Sequence, residues 1–126
     1  MDGDDEPYDL VSPYDEYSGH DYSHGTHVAG IIGAVGNNRV GVAGTNWNIN
    51  IIPIRVLGAN GVGHNIVKGI RFAAGLPVEN SYGEEITISE EVDVINLSLG
   101  GDISGTDGDQ VLKEAIKEAT DKGILV

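Results

Sequence analysis

Apolar residues recur along this chain in short runs that alternate between helical and extended spacing. From Ser23 to Val35, small and apolar residues follow one another at helical intervals, with Ser23 placed as the N-cap. Gly36-Asn37-Asn38 ends that helix and opens a tight loop. Ile49 to Val56 is β-branched and nearly all apolar, the pattern of a strand covered on both faces. Pro53 inside it has no N–H for a ladder, so that position must face away from a partner or sit at a bulge.

Gly58 to Gly63 reads as a glycine-rich loop or edge segment. Asn65 to Ala74 reads as a helix with Ile66, Ile70 and Ala73 or Ala74 on one face. Leu76 to Glu91 is polar and acidic, a loop longer than the usual connection. Val92 to Leu97 is a second buried strand. Asp109 to Lys122 is an amphipathic helix, with Val111, Leu112, Ala115, Ile116 and Ala119 inward and Lys113, Glu114, Lys117 and Glu118 outward. Gly123 is its natural stop, and Ile124-Leu125-Val126 begins a third strand. Alternation of helix and strand predicts an α/β fold with a parallel sheet and right-handed crossovers. Three residues of a core strand make a poor terminus for a complete domain. The pattern therefore predicts an incomplete fold, open strand edges and a chain that is only marginally folded by itself.

Composition narrows the partners. The chain has 126 residues, enough for one small domain with a core, and 40% of them are hydrophobic. Lys+Arg is 7 against Asp+Glu 20, a net charge of -13. That balance argues against nucleic acid and against anionic membrane surfaces as partners. Residues 1–22 are rich in Asp, Tyr, Gly and Pro and read as an exposed acidic loop. Met1 to Glu6 is acidic, the reverse of a signal peptide's basic start, and no apolar stretch approaches the ~20 residues that span a bilayer. The absence of cysteine excludes disulfides and thiolate metal sites.

The candidate chemistry centres on Ser23-His24-Gly25-Thr26-His27-Val28-Ala29-Gly30. A histidine stands where loop becomes helix, a place suited to a general base at the rim of an α/β sheet. Taken alone, two such histidines also fit a helix that merely caps and packs. His20, His24 and His27, spaced i, i+4, i+7, also allow a metal site, although Gly19 and Gly25 disfavour one continuous helix there. Gly61-Val62-Gly63 alone reads as a flexible turn, and Ser98-Leu99-Gly100-Gly101 as a strand exit of the kind where α/β folds bind ligands.

Together these segments resemble the subtilisin-like serine proteases, the subtilases. The resemblance rests on four blocks in family order: Ser23 to Gly30, Asn37 to Gly44, Arg55 to Gly63, and Asn96 to Gly101. It implies a three-layer α/β/α fold with a mostly parallel sheet, incomplete in this chain. Residues 23–126 would form part of the catalytic domain, behind the acidic 1–22 segment. It implies a serine endopeptidase with an Asp-His-Ser triad, in which His24 is the general base. His27, a turn further on, would point to the packing side. Gly25 would keep the helix start open, and Gly30 would let the helix approach the sheet.

By the same resemblance, an extended peptide or protein substrate adds as a strand between Gly61-Val62-Gly63 and Ser98-Leu99-Gly100, with Leu57 shaping an apolar subsite. The Gly36 to Val42 loop resembles one that cradles structural calcium, from the Asn38 side chain and the Gly36, Val40 and Val42 carbonyls. Calcium wants ~6–8 oxygens, and a simple Asn-rich turn fits equally well. No cofactor is needed for the chemistry. Leu76 to Glu91 looks like an insertion against the compact subtilisins. Neither the family's aspartate block nor its nucleophile block is found, and the oxyanion asparagine is expected just past Val126. The expectation is an inactive fragment of a secreted parent, whose partner is the rest of the catalytic domain. The alternative is a noncatalytic peptide-binding or interaction module derived from a subtilase.

Overall fold

The computed structural model describes residues 24–57, 63–80, 82–100 and 107–126. The expected acidic loop over 1–22, the cap at Ser23, His20, and the cleft residues Gly61 and Val62 lie outside them. The chain divides between Pro53 and Ile54 into two compact units.

The first unit carries helix α1, His24–Gly33. Three glycines in its ten residues make it a weak helix by propensity, so its end is held by tertiary bonds. The last carbonyls of a helix lack partners within it. Here the returning chain supplies them: Thr45 N–H donates to Ile31 O at 2.9 Å, Asn46 N–H to Ile32 O at 3.0 Å, and Gly44 N–H to Ala34 O at 2.9 Å. The Thr45 hydroxyl adds a second donor to Ile31 O at 3.0 Å. Such an approach requires glycine: a Cβ on Gly44 would lie 2.4 Å from Ala34 N, and one on Gly33 would lie 2.6 Å from Ile49 Cδ1. The glycine packed on the extended segment is thus Gly33. At the expected one, Gly30, a Cβ would meet nothing within 4 Å.

The second unit is built around helix α2, Gly63–Ala73, and helix α3, Asp107–Asp121. Val67, Ile70 and Ala74 of α2 and its C-terminal exit meet Ala115 and Ala119 of α3, with Ile124 beneath. Both alanines are fully buried, and their small side chains let the helices pack closely. The opposite face of α2 buries Phe72 with Val78, against Ile54, Val56, Ile86 and Ile88. Arg71 joins the helices through a bidentate pair with Glu118, Nε–Oε2 2.7 Å and Nη2–Oε1 3.1 Å.

Both helices end in the same way. Gly75 (φ +70°) and Gly123 (φ +88°) adopt the left-handed conformation at C′. Leu76 N–H then reaches Arg71 O at 2.9 Å, and Ile124 N–H reaches Ala119 O at 3.3 Å, each five residues back. Gly123 therefore stops α3 as its sequence predicts.

Two expectations change. Leu76 to Glu91 is not one long loop: β1, Val78–Glu79, pairs antiparallel with β2, Glu85–Ile86, in the register Val78↔Ile86 and Glu79↔Glu85. Asn80 organises the turn, its Oδ1 accepting from Tyr82 N–H and Glu84 N–H at 2.9 Å each. The runs Ile49 to Val56 and Val92 to Leu97 do not form regular strands among the described residues. Ile49 and Ile51 are exposed rather than covered on both faces. A doubly buried strand needs neighbours on both edges as well as both faces. The described pairing at the second run is one parallel bridge, Val94↔Leu125, with Ile95 N–H donating to Leu125 O at 2.8 Å and Leu125 N–H to Asp93 O at 3.0 Å.

Candidate active site

His24 is the first residue of α1 and is exposed. A histidine there projects from the first turn, where ring nitrogens are accessible to a second group. Among the described residues, nothing lies within 4 Å of where a methyl on Gly25 would sit. His27 is exposed as well, contrary to its expected packing position. Helix α1 itself carries no buried residue.

The cleft residues belong to the second unit. Leu57 is exposed, which suits a side chain that offers an apolar surface. Gly63 is the first residue of α2, so the helix starts two residues earlier than expected and takes Gly63 out of the loop. Ser98 and Gly100 are exposed and Leu99 is half-buried. The Ser98 hydroxyl accepts from Asn96 Nδ2 at 2.8 Å, which fixes both side chains along this non-ladder segment. That partner is an amide donor and not a base, so it does not activate Ser98 as a nucleophile.

The loop after α1 has a definite shape. Asn37 (φ +58°), Arg39 (φ +61°) and Gly41 (φ +59°) are left-handed at alternate positions. Asn38 Oδ1 accepts from Val40 N–H at 3.0 Å. A cleft of about 150 Å³ opens along the loop, lined by Val35 and by residues 37–43. The candidate calcium donors, the Asn38 side chain and the carbonyls of Gly36, Val40 and Val42, are neutral oxygens. They are four, where calcium takes about six to eight. Asn38 Oδ1 already serves an N–H, and Arg39 brings a cation into the same turn. The loop's own residues therefore do not complete a calcium shell. Among the described residues, no three His, Cys, Asp or Glu side chains group to hold a metal. No helix of the described residues is long and apolar enough to cross a membrane.

Sequence reasoning missed two features. The hairpin over 78–86 was legible in Asn80, Gly83 and the β-branched run after Glu85, but its acidity masked it. The packing of Trp47 on Gly36 had no signal in the sequence.

The chain is a member of the subtilase family, whose model matches residues 3–126, past the four blocks on both sides. The subtilases are serine proteases with an α/β fold. The chain is 37% identical to subtilisin E of Bacillus subtilis (strain 168) over 118 residues, 92% of this chain and 25% of that protein. It is 37% identical to thermitase of Thermoactinomyces vulgaris over 105 residues, 82% of this chain and 31% of that protein. It is 38% identical to an extracellular protease of Xanthomonas campestris pv. campestris over 104 residues, 82% of this chain and 17% of that protein. The chain thus spans between 17% and 31% of the length of these three relatives. No solved structure matches it.

Proposed function

We propose that this chain is the general-base portion of a secreted serine endopeptidase, with His24 as the base. The observation that carries the reading is the family match over residues 3–126, with His24 at an exposed helix start. In the reaction, one His24 ring nitrogen takes the proton of a serine hydroxyl as the oxygen attacks the scissile carbonyl. The same nitrogen later gives that proton to the leaving amine, and a carboxylate on the other nitrogen holds the tautomer. The extended substrate lies along Gly61-Val62-Gly63 on one side and Ser98-Leu99-Gly100 on the other, with Leu57 lining an apolar subsite. The sheet of the whole domain is mostly parallel between two helical layers, a reading that the Val94↔Leu125 bridge supports. Secretion is supported by the relative named as an extracellular protease.

A base alone does not hydrolyse peptides. The serine and aspartate blocks of the family are not found in these 126 residues, so the chain by itself is inactive and works with the other segments of a catalytic domain. Two experiments test this. The purified chain is expected to leave a chromogenic peptide uncleaved, and hydrolysis blocked by a serine-directed inhibitor would contradict that. In a chimera, this chain replaces the matching segment of subtilisin E. His24→Ala is then expected to lower kcat by roughly 10⁴-fold or more, the scale on which triad members act together in subtilisin itself. His27→Ala is expected to leave most of the activity. Equal losses from the two substitutions would remove the assignment.

A further inference from the structure

We infer that the loop 36–44 of this chain is held in shape by the side chain of Trp47, in place of a bound metal ion. The inference is independent of the proteolytic reading, because it concerns what orders the loop rather than what the whole domain does.

The loop needs an external hold. Asn37 and Arg39 are left-handed non-glycine residues, which the surrounding structure must impose because their Cβ atoms disfavour that conformation. The loop's own four neutral oxygens number fewer than the about six to eight that calcium takes, and Arg39 adds a positive charge to the same loop. Trp47 is the only tryptophan in the chain. Its indole lies directly on Gly36: a Cβ there would be 2.3 Å from Cε2 and 2.4 Å from Cδ2 of the ring. Only glycine at position 36 leaves room for the ring. Trp47 Nε1–H donates to Gly44 O at 2.9 Å, at the other end of the loop. One rigid side chain therefore touches both ends, Gly36 by contact and Gly44 by hydrogen bond. Asn38 Oδ1, bonded to Val40 N–H, fixes the middle. Gly44 N–H in turn bonds Ala34 O, which ties the loop to the exit of α1. Trp47 as a residue is 62% exposed, so it straps the loop from outside rather than filling a core.

Hydrogen exchange of the full chain tests this, read by mass spectrometry on peptides from 36–47 and from α2 and α3. In the wild type, exchange over 36–47 is expected to differ less than twofold between 5 mM calcium chloride and chelator. Trp47→Ala should speed exchange over 36–47 at least tenfold, leave α2 and α3 unchanged, and not be rescued by calcium. Trp47→Phe keeps a ring on Gly36 but loses the N–H, and should fall between the two. Calcium slowing exchange of the wild-type loop tenfold or more would overturn the inference. So would a Trp47→Phe chain that matches wild type beside a Trp47→Ala chain that does too. If Trp47→Ala unfolds throughout, the wild-type calcium comparison and Trp47→Phe still decide the question.

Discussion

A methyl group on Gly69 would lie 2.4 Å from Val56 Cγ1. Glycine within a helix costs about 1 kcal/mol against alanine, so an alanine here would ordinarily stabilise. In this chain Gly69→Ala should destabilise instead, by about 1–3 kcal/mol, because the extra carbon overpacks a fully occupied contact. A shift of the urea midpoint to lower concentration, with an unchanged slope, is the expected result. Residue chemistry also sets an acid limit. The hydrogen bond from Arg71 and then its charge hold the Glu118 carboxyl below its ordinary value, against an opposing effect of burial. That stabilisation is present above the ordinary carboxylate range and is lost as pH falls through the lowered value. Both side chains are about a third exposed, so the pair contributes under about 1 kcal/mol. Glu118→Gln should therefore cost little at pH 7 and flatten the acid side of the stability–pH curve.

At the scale of elements, the helices differ in what makes them form. Helix α3 is rich in Ala, Glu and Lys and carries i,i+4 contacts from Gln110 to Glu114 and from Lys117 to Asp121. Its boundaries were readable within two residues, because propensity, amphipathic spacing and the Gly123 stop agree. Helix α1 has little propensity and was readable through its start and stop signals rather than its composition; its end is set by bonds from Gly44, Thr45 and Asn46. The hairpin depends on one side chain. Asn80→Ala removes the acceptor of two turn N–H groups and the donor to Glu84 Oε2. It should cost about 1 kcal/mol and raise exchange in 78–86 while α3 is unaffected.

For the whole molecule, apolar exposure and charge act in opposition. Val94 and Leu125 are 59% and 67% exposed although they form the described parallel bridge, and Ile31, Val35 and Trp47 are exposed in the other unit. Apolar surface of this kind favours association, while a net charge of -13 opposes it. Salt screens the charge and leaves the apolar surface unchanged. The chain should therefore sediment as a monomer in low salt and associate as sodium chloride is raised until the Debye length falls to a few ångströms, near 1 M. A monomer at every ionic strength would place the apolar positions inside the fold instead.

By itself the sequence determined the family, the three helices, the stop at Gly123 and the residue on which the proposed chemistry turns, His24. These are local matters: helical spacing, a turn residue and a contiguous motif are all written within one stretch of chain. Only the tertiary structure decided that Gly33 rather than Gly30 is the packing glycine, that His27 stays outside, that Gly63 enters a helix, and that Trp47 spans Gly36 and Gly44. The extended runs were the least legible. A strand is completed by partners distant in sequence, and spacing within Ile49 to Val56 carries no record of whether such partners flank it.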